Sequence, residues 1–228
     1  MTLPTLSFCS PKGGSGKSTT CILLALEIAR TGLTVTILDS DPKRWLSSWS
    51  NLKPLPEGID VVQVAQDDLT DAAFAAIEQS DYVLIDVEGS DDASMIDAVL
   101  ASDLVIVPTK ASRMDALAAV QVLKQVRQKG RLMGRKILAS VLMTQTEPGA
   151  IEYRITAEIK SILRQANAPL LKTQLANRPM FQAMTSLGGD YLDLPKEFKG
   201  SSPMSAQDNV QALAREVSTI LTEELKAA

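Results

Sequence analysis

The sequence predicts an α/β protein in which residues 1–228 form a single domain: a doubly wound, mostly parallel sheet with helices on both faces. Three observations carry this. Short apolar runs alternate with longer stretches of helical period along the whole chain. Two of those runs, "YVLID" (82–86) and "DLVIVP" (103–108), are almost continuously apolar, as strands covered on both faces must be. A glycine-lysine loop, "SPKGGSGKSTT" (10–20), stands between the first strand and the first helix.

The elements follow in order. "LSFCS" (6–10) is a strand leading into the loop. Residues 17–31 carry Ile22, Leu23, Leu26 and Ala29 at helical spacing, and Gly32 ends that helix. "TVTILD" (34–39) is the second strand, and "WLSSWSNLKPLPEG" a short helix with a turn-rich connection. "DVVQVA" (60–65), with its polar Gln63, suits a strand near an edge. Residues 68–79 are helical, 82–86 a central strand, and "DDASMIDAVLAS" a helix. Residues 103–108 form a strand stopped by Pro108, and 112–129 a helix ended by Gly130. "KILASVLM" (136–143) is a strand, 150–166 a helix, "APLLKT" a last short strand and 177–187 a short helix. Residues 188–205 read as an ordered surface loop. The final helix, 206–227, carries Val210, Leu213, Val217, Ile220 and Leu221 on one face.

Composition narrows the chemistry. The chain has 228 residues, 45% hydrophobic and 22% charged, as globular proteins do. It has no histidine, which removes Ser-His-Asp and His-metal chemistry. A net charge of −4 means that any nucleic-acid binding must come from a local patch. Cys9 and Cys21 have no pairing pattern and read as buried thiols of a cytosolic protein. The N-terminus lacks a signal peptide's basic and apolar regions, and no run is long enough to span a membrane.

The loop is built to hold phosphate. Gly13, Gly14 and Gly16 allow positive φ and close backbone approach, so that successive N–H groups, including that of Ser15, can face phosphate oxygens. The helix starting near Lys17 adds its N-terminal dipole and unpaired amides. Lys17 can reach the β- and γ-phosphates, the Ser18 hydroxyl can ligate Mg2+, and Thr19 can donate to the α-phosphate. The strict pattern G-x-x-x-x-G-K-[ST] fails, because its first glycine falls on Pro11. What stands instead is K-G-G-x-G-K-S, from Lys12 to Ser18.

That heptapeptide is the deviant Walker A motif and resembles the ParA/MinD superfamily of P-loop ATPases. The resemblance implies ATP and Mg2+ as ligands. It also implies that Lys12 crosses a dimer interface to the phosphates of the partner's nucleotide, the task of an arginine finger elsewhere. A fixed cation there offsets the negative charge that phosphoryl transfer moves onto the leaving oxygen. Two further motifs agree. "ILDSDPK" resembles the family's D-x-D-P box. By that match Asp41 orients the attacking water and contacts the Mg2+ shell, and Asp39 supports the Mg2+-water network. Lys43 stands where the family usually has Gln. In "YVLIDVEGS", Asp86 ends a buried strand as a Walker B aspartate does and would hold Mg2+ through water. The segment after it, "VEGS", would sense the γ-phosphate, with Gly89 as its pivot. The catalytic set is then Lys12, Lys17 and Asp41, and the metal set Ser18, Asp41 and Asp86. No residue resembles a dedicated strong base, which implies slow, partner-stimulated hydrolysis.

Within the superfamily, "DSDPKRWLSSW", "DLVIVPTKASRMDALAA" and "NRPMFQAM" are most similar to small plasmid-partition ATPases of the ParF type and to the related protein that assists T-DNA transfer in agrobacteria. Only 11 residues precede Lys12, so the helix-turn-helix extension of large partition ATPases is not expected. Cys9 and Cys21 do not match the cluster and metalloid cysteines of nitrogenase iron proteins and arsenite pumps. The tail "LTEELKAA" lacks the tyrosines of the related kinases, and dethiobiotin synthetases lack the early lysine. MinD proteins end in a basic membrane helix, whereas the last helix here carries Asp208, Glu216, Glu223 and Glu224, which anionic lipid repels.

No acidic residue lies between Asp115 and Glu147, a window holding Lys124, Arg127, Lys129, Arg131, Arg135 and Lys136. It reads either as a phosphate-contacting patch or as a solvated helix end whose cations suit the C-terminal dipole. Arg178, in "ANRP", falls near a DNA-contacting arginine of related partition ATPases. The resemblance therefore implies a cytoplasmic bacterial ATPase, on the nucleoid when ATP-bound. Its ATP-sandwich homodimer, or a higher assembly, would bind DNA non-specifically without a membrane. A centromere-binding or cargo-adaptor protein would release it by stimulating hydrolysis. The alternatives are a DNA-processing accessory that recruits transfer machinery and a positioning ATPase for a non-DNA cargo.

Overall fold

The computed structural model describes residues 4–88, 92–148, 153–199 and 202–227. Among these residues seven strands form one sheet: β1 (Thr5–Phe8), β2 (Val35–Asp39), β3 (Ile59–Gln63), β4 (Tyr82–Asp86), β5 (Leu104–Thr109), β6 (Leu138–Thr146) and β7 (Leu175–Ala176). Their order is β3-β2-β4-β1-β5-β6-β7, and every pairing is parallel. The doubly wound α/β expectation is met, with the Gln63 strand at an edge as its polar residue predicts.

Helices cover both faces because strand side chains alternate between them. Leu6, Phe8 and Leu84 point into one core, closed by α1 (Lys17–Ala29), α2 (Trp45–Ser50), α7 (Pro179–Leu187) and α9 (Pro203–Ala227). Val83, Ile85 and Val105 point into the other, closed by α3 (Leu69–Ile77), α4 (Asp92–Ala101), α5 (Arg113–Leu132) and α6 (Arg154–Gln165). Cys9 lies in the second core and Cys21 in the first, so the sheet separates two free thiols. The apolar stripe of α9 is spent on the core: Val210, Leu213, Val217 and Leu221 are buried. Among the described residues no helix is long and apolar enough to cross a membrane.

Four boundaries differ from expectation, each for a physical reason. Pro108 does not stop its strand, because β5 runs on to Thr109. The carbonyl of Ile106 accepts from Cys9 N on the β1 side (3.0 Å), so the N–H that Pro108 lacks would face the same side, past the end of β1. Gly130 does not end its helix either. It is buried inside α5, where a Cβ would meet Arg135 O at 2.7 Å, and the chain turns at Gly134 with φ +66°. "APLLKT" makes a single bridge, Leu170 to Val141, and the last strand is Leu175–Ala176. The expected surface loop after Leu187 contains a 3-10 turn at Tyr191–Asp193 and α8 (Lys196–Lys199), and Tyr191 is fully buried. Its hydroxyl donates to Glu27, which also pairs with Arg30, and Arg30 in turn pairs with Asp190. That network ties the segment to α1.

Candidate nucleotide site

In an open parallel sheet, ligands bind beyond the carboxyl ends of the strands, where strand order reverses. Here that point lies between β1 and β5, and the glycine loop leaves β1 there. Gly14 (φ +70°) and Gly16 (φ +97°) hold left-handed backbone, which only glycine adopts at little cost. The loop is tethered from β6: Thr144 Oγ1 donates to Ser15 O (2.7 Å) and Gln145 Nε2 to Gly14 O (2.8 Å). The first backbone bond of α1 runs from Thr20 N to Gly16 O (2.9 Å), so the amides of Lys17, Ser18 and Thr19 lie ahead of the helical ladder. No acidic residue occupies that first turn and no side chain caps it. The helix end is therefore open to an anion.

The loop opens on a cavity of about 470 Å3 lined by residues 13–19, Asp41, Lys43, Trp45 and Glu88. The sequence-predicted groups Gly13, Gly14, Ser15, Gly16, Lys17, Ser18, Thr19 and Asp41 are thus brought together. Asp86 lies beneath them. Its Oδ2 accepts from Ser18 Oγ at 2.5 Å, and its Oδ1 is buried without a hydrogen-bond partner. Burial pushes the Asp86 carboxyl up to about 7, a rise held back by the Ser18 hydroxyl and Lys17. Ser15 Oγ and Ser40 Oγ are also buried and unpartnered. Orphaned polar atoms around a cationic loop suit a phosphate and a hydrated cation. Among the described residues no group of three or more His, Cys, Asp or Glu could hold a metal. A hydroxyl beside one carboxylate is instead the sparse protein share that Mg2+ accepts when phosphate and water supply the rest.

The two aspartates of the D-x-D-P box divide their work. Asp41 lines the cavity, turned by the bond that its Oδ1 accepts from Lys43 N (2.8 Å). Asp39 is fully buried and committed elsewhere: it accepts from Ser47 N and Ser47 Oγ, both at 2.7 Å, and from Asp41 N at 3.3 Å. Through these three bonds it anchors α2 and the Asp41 turn. Lys12 is drawn sideways, its Nζ 3.1 Å from Asp115 Oδ1 at the start of α5. Gly89 lies outside the described residues.

Sequence reading missed a second cleft, of about 140 Å3, on the other flank of Gly16 and Thr19. Thr144, Gln145, Asn177, Arg178, Phe181 and Gln182 are among its lining residues. Its lining is mixed polar and apolar, and it adjoins the phosphate loop at Gly16 and Thr19. No local motif signals it, because the end of β6, the loop after β7 and α7 meet only in the fold. Arg178 borders this cleft and donates to Ser205 Oγ (2.8 Å), so it is half-buried between elements rather than displayed.

The basic window lies elsewhere. Lys124, Arg127 and Arg131 are exposed along α5, and Lys129 is half-buried. At the helical rise per residue, Arg131 is about 27 Å along the helix from Arg113 at the nucleotide end. Arg127 donates to Asn167 O (3.1 Å). Arg135 is consumed by Asp103 and by the carbonyls of Leu100 and Ser102.

A sequence model of the VirC1 protein family matches residues 1–227. The chain belongs to the VirC1 family. It is 31% identical over 229 residues to a ParA protein of Rhizobium radiobacter, covering 98% of this chain and 100% of the relative. It is 25% identical over 222 residues to the virC1 protein of Rhizobium rhizogenes, with 94% of each covered. Among solved structures it superposes on the ATP complex of a McdA variant from Cyanothece with a TM-score of 0.73 at 14% identity, covering 95% of this chain and 97% of that one. The Mg-ADP complex of MinD from Pyrococcus horikoshii OT3 gives 0.72 at 15%, covering 96% and 97%. These likenesses establish the ParA/MinD fold, of which the VirC1 family is a branch.

Proposed function

We propose that this chain is an ATP hydrolase whose nucleotide state switches its assembly. The observation that carries the reading is the loop itself: an uncapped helix end, two left-handed glycines and Lys17 facing a cavity that Asp41 lines, with Asp86 bonded to Ser18 of the same loop. The phosphates lie on residues 13–19, and the nucleoside in the cleft beside Gly16. Ser18 and Asp86 would hold Mg2+, Asp86 through water, with Asp41 at its shell; when bound, Mg2+ would supply charge neutralisation for the phosphates. Lys17 binds the terminal phosphates. Asp41 orients the attacking water. The sequence motifs supply no dedicated strong base for that water, so hydrolysis is slow until a partner protein stimulates it.

ATP closes a two-fold dimer in which Lys12 leaves Asp115 for the partner's nucleotide. The dimer binds DNA non-specifically through Lys124, Arg127, Lys129 and Arg131, and a centromere-binding or cargo-adaptor protein releases it. The outcome is segregation of plasmid or chromosomal DNA. The test is duplex binding with ATP, ADP or no nucleotide, at one salt concentration, with Lys12→Ala alongside. Binding confined to ATP and lost in the variant supports the reading. Equal binding in all states removes the switch.

A second reading is favoured by the family match over residues 1–227: an accessory that recruits transfer machinery to one DNA site. Preference for a single sequence over bulk duplex distinguishes it.

A further inference from the structure

We infer that Lys110 is a third phosphate-directed cation of the nucleotide site, acting while Lys12 is tied to Asp115. The inference rests on the nucleotide reading above and deepens it.

Sheet register brings the two lysines side by side. Phe8 of β1 is paired with Ile106 of β5, and Lys12 and Lys110 each stand four positions further on. The Lys110 ammonium reaches the phosphate loop. A Cβ placed on Gly14 would lie 3.9 Å from Lys110 Nζ, and Gly14 lines the cavity. Both sides of that contact are fixed. The Gly14 carbonyl is held by Gln145 Nε2. The Lys110 backbone is held by Ser112 N, which donates to Lys110 O (2.7 Å), and Ser112 caps α5 by accepting from Asp115 N.

The charges of the two lysines are not equivalent. Lys12 is neutralised by Asp115 at 3.1 Å. Lys110 is half-buried and has no ion pair or side-chain hydrogen bond among the described residues. With Lys12 latched, the unpaired ammonium nearest Gly14 is that of Lys110. An anion on the loop meets its field in a partly desolvated place, where an unscreened charge counts for more than on open surface. Residue type matters too: a lysine here is a flexible point charge that can follow the terminal phosphates.

The test is calorimetric titration of the Mg2+-containing protein with ATP, ADP and AMP at about 50 mM salt, where screening is weak. The expected result for Lys110→Ala is about tenfold weaker ATP binding, a smaller loss for ADP and unchanged AMP binding, with Lys110→Arg restoring most of it. Lys172→Ala, an exposed charge elsewhere, leaves all three affinities alone. Asp115→Asn frees Lys12, so it tightens ATP binding and shrinks the cost of Lys110→Ala in the double variant, a coupling that a merely structural lysine would not show. If the wild type binds ATP and Lys110→Ala keeps the same ATP-to-AMP affinity ratio, the inference is overturned and the nucleotide reading stands. If the wild type binds none of the three, the nucleotide reading itself fails.

Discussion

Two aspartates two residues apart should fail in opposite ways when truncated. Asp39 is fully buried and satisfies three donors, two of them at 2.7 Å. Asp39→Ala leaves Ser47 N, Ser47 Oγ and Asp41 N without their acceptor. Hydrogen bonds to a charged group contribute about 1.5–3 kcal/mol each. The 3.3 Å bond is weak, and Ser47 is half-buried, so water replaces part of the loss. A destabilisation of about 3–4 kcal/mol follows, against about 1 kcal/mol for Ser47→Ala, which removes one hydroxyl. Asp41→Ala gives up a single local bond to Lys43 N at the cavity wall, so it costs under about 1 kcal/mol of stability. Yet Asp41→Ala abolishes turnover, and Asp39→Ala still binds nucleotide wherever it remains folded. Urea unfolding followed by far-UV circular dichroism, with ATPase assays alongside, reads both. If Asp39→Ala unfolds within about 1 kcal/mol of wild type, or if Asp41→Ala is the less stable of the two, this division of labour is wrong.

Other perturbations have equally definite outcomes. Gly16→Ala forces a side chain onto φ +97°, costing about 1–2 kcal/mol and distorting the loop, so mant-ATP affinity falls sharply. Tyr191→Phe strips Glu27 of one donor and lowers stability by about 1–2 kcal/mol in thermal melts, with nucleotide binding unchanged. Burial pushes the Cys9 thiol up to about 12 and raises that of Cys21 well above its ordinary value. A raised thiol pKa leaves little thiolate at mildly alkaline pH, so iodoacetamide should label both residues only after denaturation; rapid labelling of the native protein would contradict the packing. Lys12→Ala should barely move stability, because its pair with Asp115 is partly solvated, while partner-stimulated hydrolysis is lost.

Much of this was legible in the chain because its signals are contiguous. The phosphate loop is one run of residues, and the apolar strands announce burial wherever they lie. The edge position of β3 followed from Gln63 alone. What the sequence could not display depends on partners distant in the chain. Pro108 stays in its strand because β1 has already ended beside it, and Gly130 stays in its helix because Arg135 O approaches it. The motif already assigns Asp39 and Asp41 different tasks. The Ser47 bonds that make Asp39 an anchor of α2 come from a residue outside the box and have no local signature. The cleft beside Gly16 is assembled from three regions with no shared pattern, and Arg178 belongs to its wall. The tether of Lys12 to Asp115 joins residues far apart in the chain and has no local signature.

The proposed switch turns on Lys12, and sedimentation velocity reads it without an intermediary. The wild type, Asp41→Ala and Lys12→Ala are each run with ATP or ADP and Mg2+. With ADP, a 24.5 kDa monomer is expected. With ATP, a species of twice that mass is expected, strongest in the hydrolysis-blocked Asp41→Ala and missing in Lys12→Ala. An ATP-bound monomer in every variant, or a dimer that forms without regard to Lys12, would contradict the switch.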